Sequence, residues 1–394
     1  MDAIPFRRRH LRELLEHDRG PAISIYLPGE GSAPNPDHDR LRLRAAIERA
    51  SELLGPGADD SAGQALESLR ALAKDPEFWD GGGGGIAIFR APGFERTYRL
   101  AGDVPELVVV APTFHTRPLV REIQAPNRYW ILELGQGPVR LWRGNSGGAS
   151  VLDPSPLPED MDTALGYVYF RDTEVVHRAV SAGRAGAVRG QAGGAIGAFS
   201  GHGVGEDDQE PSLRKFFGIV DAQLREFLDG DDSPVVLAAV AEHHPLYRSV
   251  SRLERLAPTG IEGAIRFWDV NRVHEEAWPI VLRAAEERID SSLDLWERAY
   301  GRGKGEADAS ALGRLSVAGR IHLLLTERGR RLWGAVDRVT GETTIRADGG
   351  EAPDAGAVEI LDELSELVIL HGGTALVVPP ERMPTATGAA GILR

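Results

Sequence analysis

The residues with the clearest chemical suggestion are Arg189-Gly190-Gln191, set within the stretch Ser181 to Asp208, SAGRAGAVRGQAGGAIGAFSGHGVGEDD. A glutamine amide takes up no proton near pH 7, so Gln191 is no general base. It can orient a water by hydrogen bonding, and neighbouring glycines let backbone approach an ester closely. On these residues alone a flexible-linker glutamine is the better reading. The other chemistries fare worse. The chain has no cysteine, which removes thiol nucleophiles, disulfides and cysteine-ligated metals. Zinc would then rest on histidine, yet there is no HExxH helix, and the adjacent His243 and His244 point to opposite faces if they lie on a strand. No metal and no cofactor is expected. Gly81 to Gly85 precede a strand instead of following one and lead to no Gly-Lys-Ser/Thr, so they are not a phosphate loop. There is no G-x-S-x-G elbow, and Ser146 in GNSGG reads as a turn serine.

The elements that must position the glycine-rich stretch follow from pattern. Glycines at 183, 186, 190, 193, 194, 197, 201, 203 and 205 have no helical or strand period, and their ordering entropy disfavours regular structure. Immediately after comes a periodic helix with Leu213, Phe216, Phe217, Val220, Leu224, Phe227 and Leu228 on one face. Upstream, Tyr129 to Leu134 and Val139 to Arg143 flank Gly135-Gln136-Gly137-Pro138 and predict a hairpin. Val235 to Ala241 predicts a buried strand.

At 394 residues the chain exceeds a single core, and alternating strands and helices predict α/β sheets. In the first part we expect helices over 6–17, 40–54 and 61–73, strands over 22–27, 86–89 and 107–111, and a short helix after Pro112. In the last part we expect a long helix over 271–300, bent or restarted at Pro279, then a helix over 309–319, strands near 321–326 and 331–336, a helix over 355–371 and a strand over 374–378. Pro126-Asn127 and Pro258-Thr259-Gly260 mark boundaries, giving domains 1–126, 127–258 and 259–394, each a mixed sheet with packed helices. The net charge of −14 divides over them as −3, −5 and −6. This argues against a general nucleic-acid coat and against DNA, and leaves RNA contact to local patches. Arg40, Arg42 and Arg44 form one candidate patch, although a solvated helix face is the plainer reading. No membrane span or secretory signal is legible, so a cytoplasmic protein is expected.

Several segments, taken in order, resemble the archaeo-eukaryotic class-I peptide release factors. LRELLEHDRGPAISIYLP is similar to that family's opening helix and strand, and Phe114-His115-Thr116 with Leu119 to its FHT-x-x-L turn. RYWILELGQGPVRLW is similar to the hairpin that opens its second domain. GRLSVAGRIHLLLT and TATGAAGILR resemble the third domain's helix and strand and its ending. The resemblance implies a three-domain, tRNA-mimicking architecture with the glycine stretch at the position of the GGQ loop. Two departures stand out. Where the family reads codons with NIKS, this chain has Asn35-Pro36-Asp37-His38, and the match to GGQ is Arg189-Gly190-Gln191 without the basic residues that follow it. This pattern resembles the bacterial branch of the superfamily. It implies a ribosome-associated factor in hibernation or rescue, binding rRNA near the A site through Arg184, Arg189, His202, Arg40, Arg42 and Arg44, with a translational GTPase as a further partner. One alternative is a peptidyl-tRNA hydrolase using Gly190 and Gln191. Another is a non-ribosomal scaffold or ligand-binding protein that keeps only the fold.

Overall fold

The computed structural model describes residues 3–17, 20–29, 36–56, 60–79, 84–102, 104–135, 139–158, 160–161, 164–165, 206–231, 233–350, 352, 354 and 356–394. They group into two units, one of residues 1–127 with 285–394 and one of residues 128–284. This differs from the expected division, because residues 259–284 pack with the middle stretch. Strand Ile261–Glu262 pairs parallel with strand Val235–Ala239. Val273, Ala277 and Val281 share a core with Tyr129, Ile131 and Trp142.

In the first unit, α1 (Arg8–Leu15), α2 (Pro36–Leu54), α3 (Asp60–Lys74) and the single turn α4 (Pro76–Trp79) accompany strands β1 (Ile4–Pro5), β2 (Ala22–Leu27), β3 (Gly85–Ala91), β4 (Phe94–Leu100) and β5 (Leu107–Ala111). The sheet order is β1-β4-β3-β2-β5, antiparallel except for the parallel β1–β4 pair. All six residues of β2 are buried, because helices cover one face and an apolar layer the other. Ile23, Ile25 and Leu27 meet Leu43, Ile47 and Leu69 of α2 and α3. The alternate residues Ala22 and Tyr26 face Phe89, Phe114 and Leu14, as the period of two requires. β4 was not foreseen. Pro92-Gly93 closes its hairpin with Gly93 at φ 71°, and Arg96 and Arg99 obscured the apolar alternation of Tyr98 and Leu100. Helix α5 (Arg117–Gln124) follows.

In the second unit, β6 (Arg128–Leu134), β7 (Arg140–Asn145) and β8 (Gly148–Val151) form a meander, and the predicted hairpin is its first half. Helix α6 (Glu206–Phe227) leads to β9 (Val235–Ala239), α7 (His243–Val250) and β10 (Ile261–Glu262). The sheet order is β10-β9-β6-β7-β8, with β10, β9 and β6 parallel. Two buried layers flank it: Phe216, Phe217, Val220 and Leu224 of α6 on one face, and the first part of α8 (Val270–Tyr300) on the other. His243 and His244 lie in the first turn of α7, not on a strand, because β9 ends at Ala239. α8 runs unbroken through Pro279, so of the bend or restart expected there the restart does not occur.

The last part of the chain returns to the first unit. Here the end of α8 supplies Trp296 and Ala299 to one face of a sheet ordered β11 (Gly305–Glu306), β17 (Ala389–Leu393), β12 (Ile321–Glu327), β16 (Thr374–Val378). Its other face packs Leu312 of α9 (Ala309–Val317) and Leu361 and Leu364 of α10 (Ile360–Leu370). A smaller sheet orders β14 (Thr343–Asp348), β13 (Leu332–Val336) and β15 (Val358–Glu359). α10 starts five residues later than predicted, because Val358 and Glu359 pair with β13 and Glu359 then caps the helix.

Candidate functional site

Arg184, Arg189, Gly190, Gln191 and His202 lie outside the described residues. What is described is the base on either side of them. Leu157 and Ala164 are buried in the same cluster as Phe216, Phe217 and Val220 of α6. The foreseen apolar stripe of α6 is buried there, with Leu213 at its edge and Phe227 exposed along its rim, 5.5 Å edge-on to Trp130.

Within that stripe sits an acid that pattern reading passes over. Asp221, 2% exposed, accepts hydrogen bonds from Tyr247 Oη (3.2 Å), Ser251 Oγ (2.6 Å), the Arg252 amide (3.1 Å) and Arg225 Nε (3.0 Å). Four donors satisfy one buried carboxylate and tie α6 to the end of α7. The same burial, with Asp221 alongside, drives the Tyr247 phenol well above its ordinary pKa. The signal was available in sequence as an acidic residue interrupting an apolar face.

On α2 the expected basic patch is present but partly neutralised. Arg40 reaches Asp37 at 3.3 Å, and Arg42 lies 3.8 Å from Asp39 and donates to the Pro28 carbonyl at 3.5 Å. The two pairs follow the i, i+3 spacing of a helix, so the arginines serve the first turn of α2 as well as any partner. Arg44 is exposed and, among the described residues, has no carboxylate at salt-bridge distance. Leu43, Ala46 and Ile47 take the buried face between them, which keeps the three arginines from forming one continuous surface.

The Phe114-His115-Thr116-Arg117 turn is the most heavily bonded polar site of the first unit. Phe114 packs against Phe89 and Phe94. The His115 amide donates to Ser24 Oγ (2.9 Å), and Tyr26 Oη donates to the His115 carbonyl (2.6 Å). The Thr116 and Arg117 amides, at the start of α5, both donate to the Asp362 carboxylate from α10, which completes the helix N-terminus from outside. Thr116 Oγ1 donates to Glu366 (3.0 Å), Thr113 Oγ1 to Glu363 (3.0 Å), and Arg338 lies 3.1 Å from Glu363 and 3.4 Å from Glu366. Arg117 pairs with Glu359 at 3.2 Å while Glu359 accepts from the Leu361 and Asp362 amides and caps α10. Burial, then Asp362 and Glu363, hold the Glu366 carboxyl well above the usual range, and burial likewise raises Glu363. These oxygens are committed to N–H, O–H and guanidinium donors, so the cluster joins α5 to α10 and is not arranged to hold a metal. Among the described residues no group of three or more His, Cys, Asp or Glu is so arranged. Nor is any described helix long and apolar enough to cross a membrane.

Residues 128–320, the stretch that contains the glycine-rich segment and its base, match the bacterial archaeo-eukaryotic release factors. The family matched over that stretch is family 3 of these factors. Among solved structures, the archaeal translation termination factor aRF1 is 15% identical over 99% of both chains with a TM-score of 0.25. Dom34 of S. cerevisiae, a translation termination-like factor, is 11% identical over 80% of this chain and 75% of that one with a TM-score of 0.38. Archaeal Pelota, in a ribosome-bound assembly with ABCE1, is 13% identical over 100% of this chain and 95% of that one with a TM-score of 0.35. Scores this low do not establish a shared arrangement of domains. A comparison with curated proteins finds no match.

Proposed function

We propose that this translation-related protein is a ribosome-associated factor of the stress response, acting in hibernation or rescue, that binds rRNA near the A site and performs no hydrolysis. The observation that carries this reading is the family match over 128–320, which includes a segment whose nearest counterpart to a GGQ motif is Arg189-Gly190-Gln191. An arginine in place of the first glycine removes the backbone freedom that close approach to an ester requires. It leaves instead a cation suited to phosphate, alongside Arg184 and His202. On α2, Arg44, and to a lesser degree Arg40 and Arg42, supply a second basic contact. A translational GTPase is the partner this role would call for, and the cytoplasm is its place.

The test is competition on purified 70S ribosomes. Binding of the full chain should be displaced by tRNA that fills the A site and unaffected by tRNA confined to the P site. Undiminished binding to ribosomes whose A site is filled would remove the proposed location.

A further inference from the structure

A cavity of about 690 Å³ opens beside the free edge of β10 in the second unit, away from Asp221 and its partners. Its lining combines His244 and Arg248 of α7, Thr259 and Gly260 before β10, and Trp268 with Arg272 of α8. Gly260 is required at its base: a Cβ there would stand 2.7 Å from His244 Cε1 and closer still to the Leu237 carbonyl. His244 Nε2 lies 3.1 Å from the Ala239 carbonyl and 3.2 Å from the Ile261 carbonyl. Both partners only accept, so Nε2 carries a proton.

Among the described residues, Arg248, Arg266 and Arg272 have no carboxylate at salt-bridge distance, and the Arg248 Nη2 atom is buried with no acceptor. A buried guanidinium nitrogen without a partner is costly, and Arg248 is among the residues that line the cavity. Burial alone draws the Arg248 pKa down. Arg272 stacks over the Trp268 indole at 4.0 Å, which fixes its guanidinium plane. Next to Trp268 in the chain, outside the lining itself, Phe267 is 84% exposed with Arg266 5.9 Å from its ring, and Val270 is exposed as well. The wall also carries Glu262 and Glu276, the latter one turn from Arg272 on the same helix face. A bare anion would meet only half of this lining. A nucleotide presents a phosphate to the arginines, hydroxyl or amino donors to the carboxylates and a ring to the exposed phenylalanine.

We propose that this groove binds single-stranded RNA, with a phosphate between Arg248 and Arg272 and an unstacked base on Phe267. Aromatic stacking beside unpaired cations is how single strands are held with little dependence on sequence. The inference rests on the ribosome-binding reading above, and adds to it a contact outside the glycine-rich stretch.

The experiment measures anisotropy of a short labelled oligouridine with the full chain, the Arg248→Gln/Arg272→Gln double variant, Phe267→Ala, and a charge-matched control, Lys215→Gln/Arg283→Gln. Circular dichroism melts confirm that each variant is folded. Phe267→Ala should weaken binding about tenfold, as expected for one lost stack. The double variant should weaken it at least as much and flatten the salt dependence, since two phosphate contacts are gone, while the control changes affinity little. RNA affinity unchanged in the folded double variant overturns the proposal and leaves the groove to a protein partner. Inorganic phosphate or duplex RNA displacing the label as well as single strand does also overturns it. Ribosome sedimentation of the same variants separates this inference from the function. Wild-type sedimentation with unchanged RNA affinity in the double variant removes the groove alone. Loss of RNA affinity in that variant without any sedimentation of the wild type removes the ribosome alone.

Discussion

Glu366 is a buried carboxyl surrounded by Asp362, Glu363, Arg338 and Thr116, and burial favours its neutral form. Its pKa is raised well above the ordinary carboxyl value of 4.5, first by burial and then by the two neighbouring acids. The folded state therefore binds this proton more tightly than the unfolded chain does. The stability this confers is fully present below about 4.5 and is lost as pH rises through the folded value. Glu366→Gln fixes the neutral form and keeps an oxygen for Thr116. Its melting temperature relative to wild type should rise steadily as pH increases from about 4.5 toward neutrality, read by thermal denaturation across that range. A constant offset at every pH would show that Glu366 is already ionised in the fold.

At the scale of elements, one side chain, that of Gln124, adds hydrogen bonds to the apolar packing between α5 and β16. Gln124 donates to the Ala375 carbonyl at 2.9 Å and accepts from the Val377 amide at 2.9 Å, so its amide continues the ladder at the exposed edge of β16. Gln124→Met keeps the volume and removes both bonds. We expect a loss of about 1–2 kcal/mol by chemical denaturation and faster hydrogen exchange at the Val377 amide, with the amides of β12 unaffected. Unchanged exchange at Val377 would show that another group covers this edge. Pattern made much of this level legible. The alternation in β2 and β5, the 3.6 period of α6 and the hairpin at β6 and β7 each follow from apolar spacing alone. Long-range pairing was not legible. Nothing local says that Asp362 caps α5 or that Gln124 extends a strand some 250 residues away. Glu359 turned from predicted helix to cap because β13 competes for its backbone. Charged residues in α10 reproduce a helical period yet are buried, which no amphipathic rule anticipates.

For the whole molecule, residues 1–127 group with 285–394, and 128–284 group by themselves. Packing runs on past the boundary expected near 258, because β10 and the start of α8 complete the second unit's sheet and core. The glycine-rich stretch was read as a candidate site through its place before the periodic helix α6 and its match in order to the family's loop, since its own composition specifies no structure. A net charge of −14 means that RNA contact must come from places such as the stretch 181–208, Arg44 and the Arg248–Arg272 groove, each opposed by the general field. Sedimentation of the full chain through a sucrose cushion with 70S ribosomes at low salt, beside a variant lacking residues 181–208, tests the central claim most directly. The full chain should travel with the ribosome and the deletion variant should bind at least about tenfold more weakly. A full chain that stays in the supernatant, including with ribosomes from starved cells, would contradict the account.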